Sequence, residues 1–356
     1  MSDNKLNFAL IGCGRIAVKH SQLLHEMDDV TLKAVCDSKK ERAEEYGKKY
    51  GCNYYTDYKE MLQKEKLDAV NVLTPSGSHA EIGIDVANAG VNVIVEKPMA
   101  LRLEDAEALT EACSKNEVEL FVVKQNRYNT PVKKLKDAVD SGRFGKLVLG
   151  TVRVRWCRKQ EYYDQDPWRG TWAQDGGVLT NQASHHIDLL QWLMGPVESV
   201  MAKTATMLTN IETEDTGVAI LKFKNGALGL IEATTCTRPK DLEGSVSILG
   251  EKGSVEIGGF AVNQMKVWQF VTSEAGDEEV LQKYAQNPPD VYGFGHYEFL
   301  KKVVECIQNN KHSVIDGLEG MKSLELINAI YESVETGKEV FLKFKPVHCK
   351  LGMKND

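Results

Sequence analysis

Apolar and polar positions follow two regimes along the chain. Up to about Lys124, short apolar runs at Phe8–Ile11, Thr31–Cys36, Ala69–Leu73, Val91–Val95 and Leu120–Val123 alternate with stretches of helical length such as Ile16–Glu26 and His79–Ala89. Repeated strand–helix–strand units predict a parallel sheet with helices on both faces. Beyond Lys124 a helix is expected over Pro131–Ser141, stopped near Gly142. Longer strand-like segments follow at Val148–Cys157, Val197–Leu208, Gly217–Phe223, Ala227–Thr235, Ser245–Leu249, Ser254–Ile257 and Met265–Phe270. Lys224-Asn225-Gly226 between two of them is a strong hairpin signal. Helices over Tyr297–Gln308 and Glu319–Glu335 close the pattern. The second regime predicts an α+β arrangement: a large, mostly antiparallel sheet with helices on one face and an open face that needs a partner.

Composition narrows the class. The 356 residues suffice for two cores, and 42% hydrophobic with 27% charged residues is ordinary for a globular chain. A net charge of −7 argues against a nucleic-acid-coating surface. No apolar run approaches the roughly 20 residues needed to cross a bilayer, so no membrane partner is expected. The opening MSDNKLNFALIGCG lacks the pattern of a secretion signal. Eight scattered cysteines without a C-x-x-C pair suggest reduced thiols of a cytoplasmic protein, with no metal site.

Chemistry enters at the first strand, which runs into Gly12-Cys13-Gly14-Arg15-Ile16-Ala17. In this G-x-G-x-x-A turn the first Gly permits the bend, the second lets backbone approach a pyrophosphate, and Ala17 lets helix and strand pack closely. Arg15 and Ile16 then open a helix whose free N–H groups suit phosphates. The second strand ends at Cys36-Asp37, followed by Ser38. An acidic side chain there accepts from a ribose diol and repels a 2′-phosphate, favouring NAD over NADP, although Lys39 and Lys40 follow closely. Residues 1–124 therefore read as an NAD-binding Rossmann domain, and 125–356 as the substrate-binding and oligomerisation domain. Thr74-Pro75-Ser76-Gly77-Ser78-His79 and Glu96-Lys97-Pro98 follow the third and fourth strands, where ligands of open parallel sheets bind. By themselves these two loops also read as a helix entry and a surface ion pair.

Together the motifs carry a resemblance. Gly12-x-Gly14-x-x-Ala17, Thr74-Pro75-x-x-x-His79, Glu96-Lys97-Pro98 and Gly176-Gly177-x-Leu179-x-Asn181-x-x-x-His185-x-x-Asp188 occur in the order found in the glucose–fructose oxidoreductase / inositol dehydrogenase (Gfo/Idh/MocA) family. That resemblance implies a lysine, here Lys97, beside the nicotinamide and the reacting hydroxyl, and a histidine, here His185, as acid/base. Inositol-dehydrogenase-like members carry Asp where this chain has Asn181, so an Asp–His relay is not expected. Asn126-Arg127-Tyr128-Asn129, the segment Gln160–Trp172 and Asn181-Gln182-Ala183-Ser184-His185 resemble the UDP-N-acetyl-2-amino-2-deoxyglucuronate 3-dehydrogenases within that family. This implies oxidation of the C3 hydroxyl of a UDP-sugar for bacterial surface polysaccharide, bound NAD, 2-oxoglutarate as hydride acceptor in some members, and a homotetramer built through open sheets. It also implies that the segment around Trp168 and Arg169 closes over the nicotinamide, often that of a neighbouring subunit.

The residues sort into roles. Lys97, His185 and Asn181 are the catalytic candidates. His185 accepts a proton near neutral pH and a cationic Lys97 stabilises an alkoxide. Asn181, four residues before His185 on an expected helix, can orient but not take a proton. Asn126, Trp168 and Arg169 join the cofactor set above. Arg127, Arg155, Arg169 and Arg238 are candidates for a uronate carboxylate or diphosphate. Tyr128 and Tyr163 are candidates for sugar or nucleotide, and Asp188 for a hydrogen bond to the His185 imidazole. Adjacent His185 and His186 point to different helix faces, so His186 reads as a packing histidine. Another polyol dehydrogenase, or a non-catalytic NAD-binding protein on the same scaffold, are the competing readings.

Overall fold

A computed structural model of the chain describes residues 5–260, 262–285, 295–313 and 315–342. The first region builds β1 (Leu6–Ile11), α1 (Arg15–Glu26), β2 (Val30–Cys36), α2 (Lys40–Tyr50), β3 (Asn53–Tyr55), α3 (Tyr58–Lys64), β4 (Ala69–Val72), α4 (His79–Asn88), β5 (Asn92–Val95), α5 (Leu103–Lys115) and β6 (Leu120–Val122). The strands form one parallel sheet in the order β3-β2-β1-β4-β5-β6. The order reverses between β1 and β4, which opens a crevice at the carboxyl ends. The central strands are mostly apolar, interrupted by Asn7, Asn71 and Asn92, and their residues from Phe8 to Ile11, Ala69 to Val72 and Val93 to Val95 are buried, as a sheet covered on both faces requires. β3 is short and mostly exposed at the sheet edge, too little apolar to read as a strand from sequence.

The second region builds α6 (Thr130–Asp140), β7 (Leu147–Arg155), α7 (Gln160–Tyr163), α8 (Ser184–Met194), β8 (Val197–Ala205), β9 (Thr216–Phe223), β10 (Leu228–Thr234), β11 (Glu243–Gly250), β12 (Gly253–Gly258), β13 (Gln264–Phe270), α9 (Val280–Lys283), α10 (Gly295–Gln308), α11 (Gly317–Thr336) and β14 (Val340–Phe341). Its eight-stranded sheet runs β13-β12-β11-β7-β10-β9-β8-β14. Every pairing is antiparallel except β7 with β10. Residues alternate strictly: along β9, Gly217, Ala219, Leu221 and Phe223 are buried while Val218 and Ile220 are exposed. The buried face packs on α8 and α11, with Leu190, Leu193, Leu326 and Ile330 in its core. The other face leaves Met201, Val218, Ile220, Leu228 and Leu230 exposed.

The C-terminal helices return to the first region. Phe299, Leu300, Val303 and Val304 of α10 share a core with Phe8, Leu10 and Ala17, and Leu324 of α11 packs with Val72, Val95 and Val122. The two regions are thereby stitched together around the crevice. Among the described residues, no helix is long and apolar enough to cross a membrane.

Candidate active site

The crevice is a cleft of about 1420 Å³ walled by both regions. Gly12 stands at φ +100°, and a Cβ there would lie 2.7 Å from the Leu73 carbonyl oxygen, so only glycine fits the bend. A Cβ at Gly14 would meet nothing within 4 Å, leaving open space in front of the N-terminus of α1. That helix start carries no side-chain cap, and its N–H groups are available to an anion. Asp37 is pinned at the tip of β2: Oδ2 accepts from the Cys13 N–H at 2.8 Å and Oδ1 from the Lys39 N–H at 2.8 Å. Each carboxylate oxygen keeps acceptor capacity for a ribose diol. Lys39 and Arg42 lie 4.0 and 3.5 Å from Asp166, which opposes their serving a 2′-phosphate. A dinucleotide's pyrophosphate and adenosine ribose therefore fit the residues present.

Two loops meet at His79. Its imidazole is buried between the Thr74 carbonyl (2.7 Å) and the Pro98 carbonyl (2.8 Å), and burial pushes its pKa down. It clamps the Thr74–Ser78 loop to the Glu96–Pro98 loop, whose Lys97–Pro98 bond is cis. Gly77 continues the link across the cleft: its N–H donates to the Gln174 carbonyl at 3.0 Å, and a Cβ there would lie 2.2 Å from the Ala173 carbonyl oxygen. Glu96, which the sequence allowed as a surface ion pair, is buried. Its Oε1 lies 3.0 Å from His20 Nε2 and 3.5 Å from His296 Nε2, and its Oε2 accepts from the Lys97 N–H at 3.0 Å. Despite burial, these two histidines hold its carboxyl well below the ordinary range. Asn71 Nδ2 donates to His20 Nδ1 at 2.7 Å and completes the chain of bonds beneath Lys97.

Lys97 and His185 both line the cleft. Lys97 Nζ donates to the Asn181 carbonyl at 2.8 Å. Burial lowers the Lys97 pKa from its ordinary value, opposed by the Glu96 and Asp175 carboxylates. His185 Nε2 lies 2.8 Å from Gln125 Nε2. Burial, then the positive charge of Lys97, pushes the imidazole well below its usual pKa, so it is neutral at neutral pH. Gln125 Oε1 has no partner, and half a turn of that amide presents it to an Nε2–H, leaving Nδ1 as the free base.

Several expectations are corrected. Asn181 does not share a helix face with His185, because α8 begins only at Ser184; Asn181 sits in the preceding turn and its amide Nδ2 donates to Asp175 Oδ1. Asp188 does not reach His185. It is buried, 3.0 Å from Lys124 Nζ, and takes two bonds of 2.7 and 2.8 Å from Arg127. These two cations hold it far below the usual carboxylate range against the cost of burial. Arg127 also donates from Nη1 to Glu319 at 2.8 Å and lies outside the cleft wall. Asn126 and Tyr128 also lie off the cleft wall, in the short turn after β6; Tyr128 packs edge-on to Phe299. Tyr163 is buried with its hydroxyl 3.2 Å from Thr235 Oγ1. Arg238 caps the Thr235 and Thr237 carbonyls, and Arg155 forms a fork with Glu232 on the sheet. His186 is a packing residue, edge-on to Trp156, and burial pushes its pKa down to about 4.

The Gln160–Trp172 segment closes over its own chain's cleft. Arg15 donates to Gln165, Asp166 faces Lys39 and Arg42, and Arg169 stacks between Tyr162 and Trp168 while donating to the Tyr162 hydroxyl at 2.8 Å. Trp168 and Arg169 line the cleft; Trp172 is half exposed and packs against Tyr331 instead. Sequence reasoning missed Gln125, Tyr162 and Asp175. Gln125 was accessible to it, since it opens the short turn that follows β6 at the ligand edge of the sheet. Asp175 carries only a weak signal, an acid beside the Gly176-Gly177 turn.

Known proteins match this arrangement along nearly the whole chain. Residues 6–124 match the model of the oxidoreductase family's NAD-binding Rossmann fold, and residues 136–342 that of its C-terminal alpha/beta domain. The structure superposes on the WlbA dehydrogenase of Chromobacterium violaceum, solved with NADH and UDP-GlcNAcA, with a TM-score of 0.91, 44% identity and coverage of 97% of this chain and 98% of that one. The Bordetella pertussis WlbA dehydrogenase, solved with the same two molecules, gives 0.89, 42%, 96% and 100%. The myo-inositol 2-dehydrogenase of Thermotoga maritima is 28% identical over 345 residues, covering 95% of this chain and 99% of that one. The motif order, the two-sheet architecture and these matches make the chain a member of the Gfo/Idh/MocA oxidoreductase family, an NAD-dependent dehydrogenase acting on a CH–OH group.

Proposed function

We propose that the enzyme oxidises the C3 hydroxyl of UDP-N-acetylglucosaminuronate to the 3-keto sugar. The observation that carries this reading is the 42–44% identity, over nearly the full chain, to two dehydrogenases solved with that nucleotide sugar, against 28% to the inositol enzyme. The cleft also has room for a nucleotide sugar beside a dinucleotide.

Neutral His185 takes the hydroxyl proton as the C–H bond breaks, held in orientation by Gln125. The Lys97 ammonium, anchored on the Asn181 carbonyl, stabilises the developing alkoxide. NAD, when bound, supplies the hydride acceptor. Tyr162, Trp168 and Arg169 shield the cleft from water on the side of the second region. The test is to incubate the protein with NAD and UDP-N-acetylglucosaminuronate, other UDP-sugars, free inositols and free sugars, following absorbance at the NADH band with and without 2-oxoglutarate. Turnover confined to the uronate-bearing UDP-sugar is expected. Turnover of a free inositol in preference to it would overturn the substrate assignment.

The open sheet face supports assembly of copies through their sheets. Ile220 is 61% exposed and adjoins Val218, Met201, Leu228 and Leu230, an apolar patch unusual on a lone chain. Light scattering at micromolar concentration is expected to give a dimer or tetramer, and a monodisperse monomer contradicts this assembly.

A further inference from the structure

We infer that Asp175 is a positioning residue for the reaction: its carboxylate aligns the Asn181 turn and supplies the negative charge that keeps Lys97 cationic. This rests on the reading of Lys97 as the alkoxide-stabilising group. Asp175 is 1% exposed, sits between Thr171 and the Gly176-Gly177 turn, and uses both carboxylate oxygens. Oδ2 accepts from the Gly170 N–H at 2.8 Å, and Oδ1 accepts from Asn181 Nδ2. The main-chain carbonyl of the same Asn181 receives Lys97 Nζ at 2.8 Å. A continuous path, carboxylate to amide to carbonyl to ammonium, thus joins the two regions across the cleft.

The path answers a chemical difficulty. The partial burial of Lys97 favours its neutral form, and it must be protonated to stabilise an alkoxide. The charged and titratable groups facing it are Glu96, Asp175, Lys124, Arg169, His79 and His185. Lys124 and Arg169 oppose its charge, His79 and His185 are pushed towards neutrality, and Glu96 is already shared by His20, His296 and the Lys97 N–H. Asp175 is the carboxylate that reaches Lys97 from the opposite wall. Arg169 faces Asp175 as well, so the acid also balances the cation carried on the closing segment. Asn181, unable to ionise, acts here as the connector: its amide group turns to the acid and its carbonyl to the lysine.

The experiment measures the Lys97 pKa directly, as the pH dependence of its acylation by acetic anhydride read by mass spectrometry, alongside the pH profile of kcat/KM. In Asp175→Asn the Lys97 pKa and the alkaline limb of the profile are expected to fall together by roughly one pH unit, the size usual for losing a nearby opposite charge. The double variant D175N/N181D moves the carboxylate to the other end of the same hydrogen bond, and both values are expected to return towards wild type. A residue that merely closes the turn would lower activity equally at every pH, with no movement of either value; that result overturns the inference. Asn181→Asp alone adds a carboxylate and is expected to raise the Lys97 pKa, a second readout should Asp175→Asn fail to fold; an unmoved pKa there also overturns the inference. If Lys97→Ala retains full turnover, the functional reading fails instead, whatever the labelling shows.

Discussion

Lys97 and Lys124 follow neighbouring parallel strands, β5 and β6, and face the same second region, yet their surroundings differ. Lys124 is buried against Asp188, at 3.0 Å, and Ser323, and Asp188 is shared with Arg127, which is itself tied to Glu319. Each charge in that cluster meets an opposite charge. Lys97 is half-buried on the cleft wall, its ammonium donating to the Asn181 main-chain carbonyl with carboxylates only at one remove. The contrast separates two uses of charge. A saturated buried cluster fixes how the regions dock, whereas a cation left with donor capacity in a cleft can respond to charge that develops during a reaction.

Breaking the comparison gives graded effects. His185→Ala is expected to lower turnover about 10²–10⁴-fold and Lys97→Ala about 10²–10³-fold, with NAD binding and thermal stability near wild type. In the wild type the acid limb of kcat/KM is expected well below the ordinary imidazole pKa, since burial and Lys97 hold His185 neutral and only its protonation at lower pH removes the base. Asp188→Ala is expected to act in the opposite manner. It strands two buried cations and costs about 3–5 kcal/mol of stability in denaturant unfolding, while turnover of the protein that remains folded changes little. Asn181→Ala is expected to lower the rate less than Lys97→Ala, because the main-chain carbonyl that holds Lys97 survives the substitution while its side-chain tie to Asp175 is lost. Steady-state kinetics beside unfolding curves separate these outcomes; a Lys97→Ala protein that loses stability rather than rate would erase the distinction.

Much of this was legible in the sequence. The parallel sheet followed from unalternating apolar runs, and the second sheet from strands whose exposed and buried positions alternate. The place of Gly12, Gly14, Asp37, Lys97 and His185 on the cleft wall was readable because backbone approach, strand-end position and protonation chemistry restrict residue type locally. Arg127, Tyr128, Tyr163 and Asp188 were misplaced for the complementary reason. An arginine or aspartate looks the same in sequence whether its partner is a ligand or a residue far along the chain, and Glu319 lies 192 residues from Arg127. Asp175 and Gln125 contact Asn181 and His185; the place of Gln125 just after β6 was a readable signal, whereas the bond of Asp175 to Asn181 appears only in the fold.

The central claim is that this cleft removes hydride from C3 of a UDP-linked uronate. Its most direct test uses UDP-N-acetylglucosaminuronate carrying deuterium at C3, with NAD, and follows the label by mass spectrometry. The account expects the deuterium in the reduced nicotinamide, one mass unit heavier than ordinary NADH, and a 3-keto sugar free of label with the same mass as that formed from unlabelled substrate, together with a slowed hydride step. Unlabelled NADH formed alongside a sugar that keeps its deuterium would contradict it.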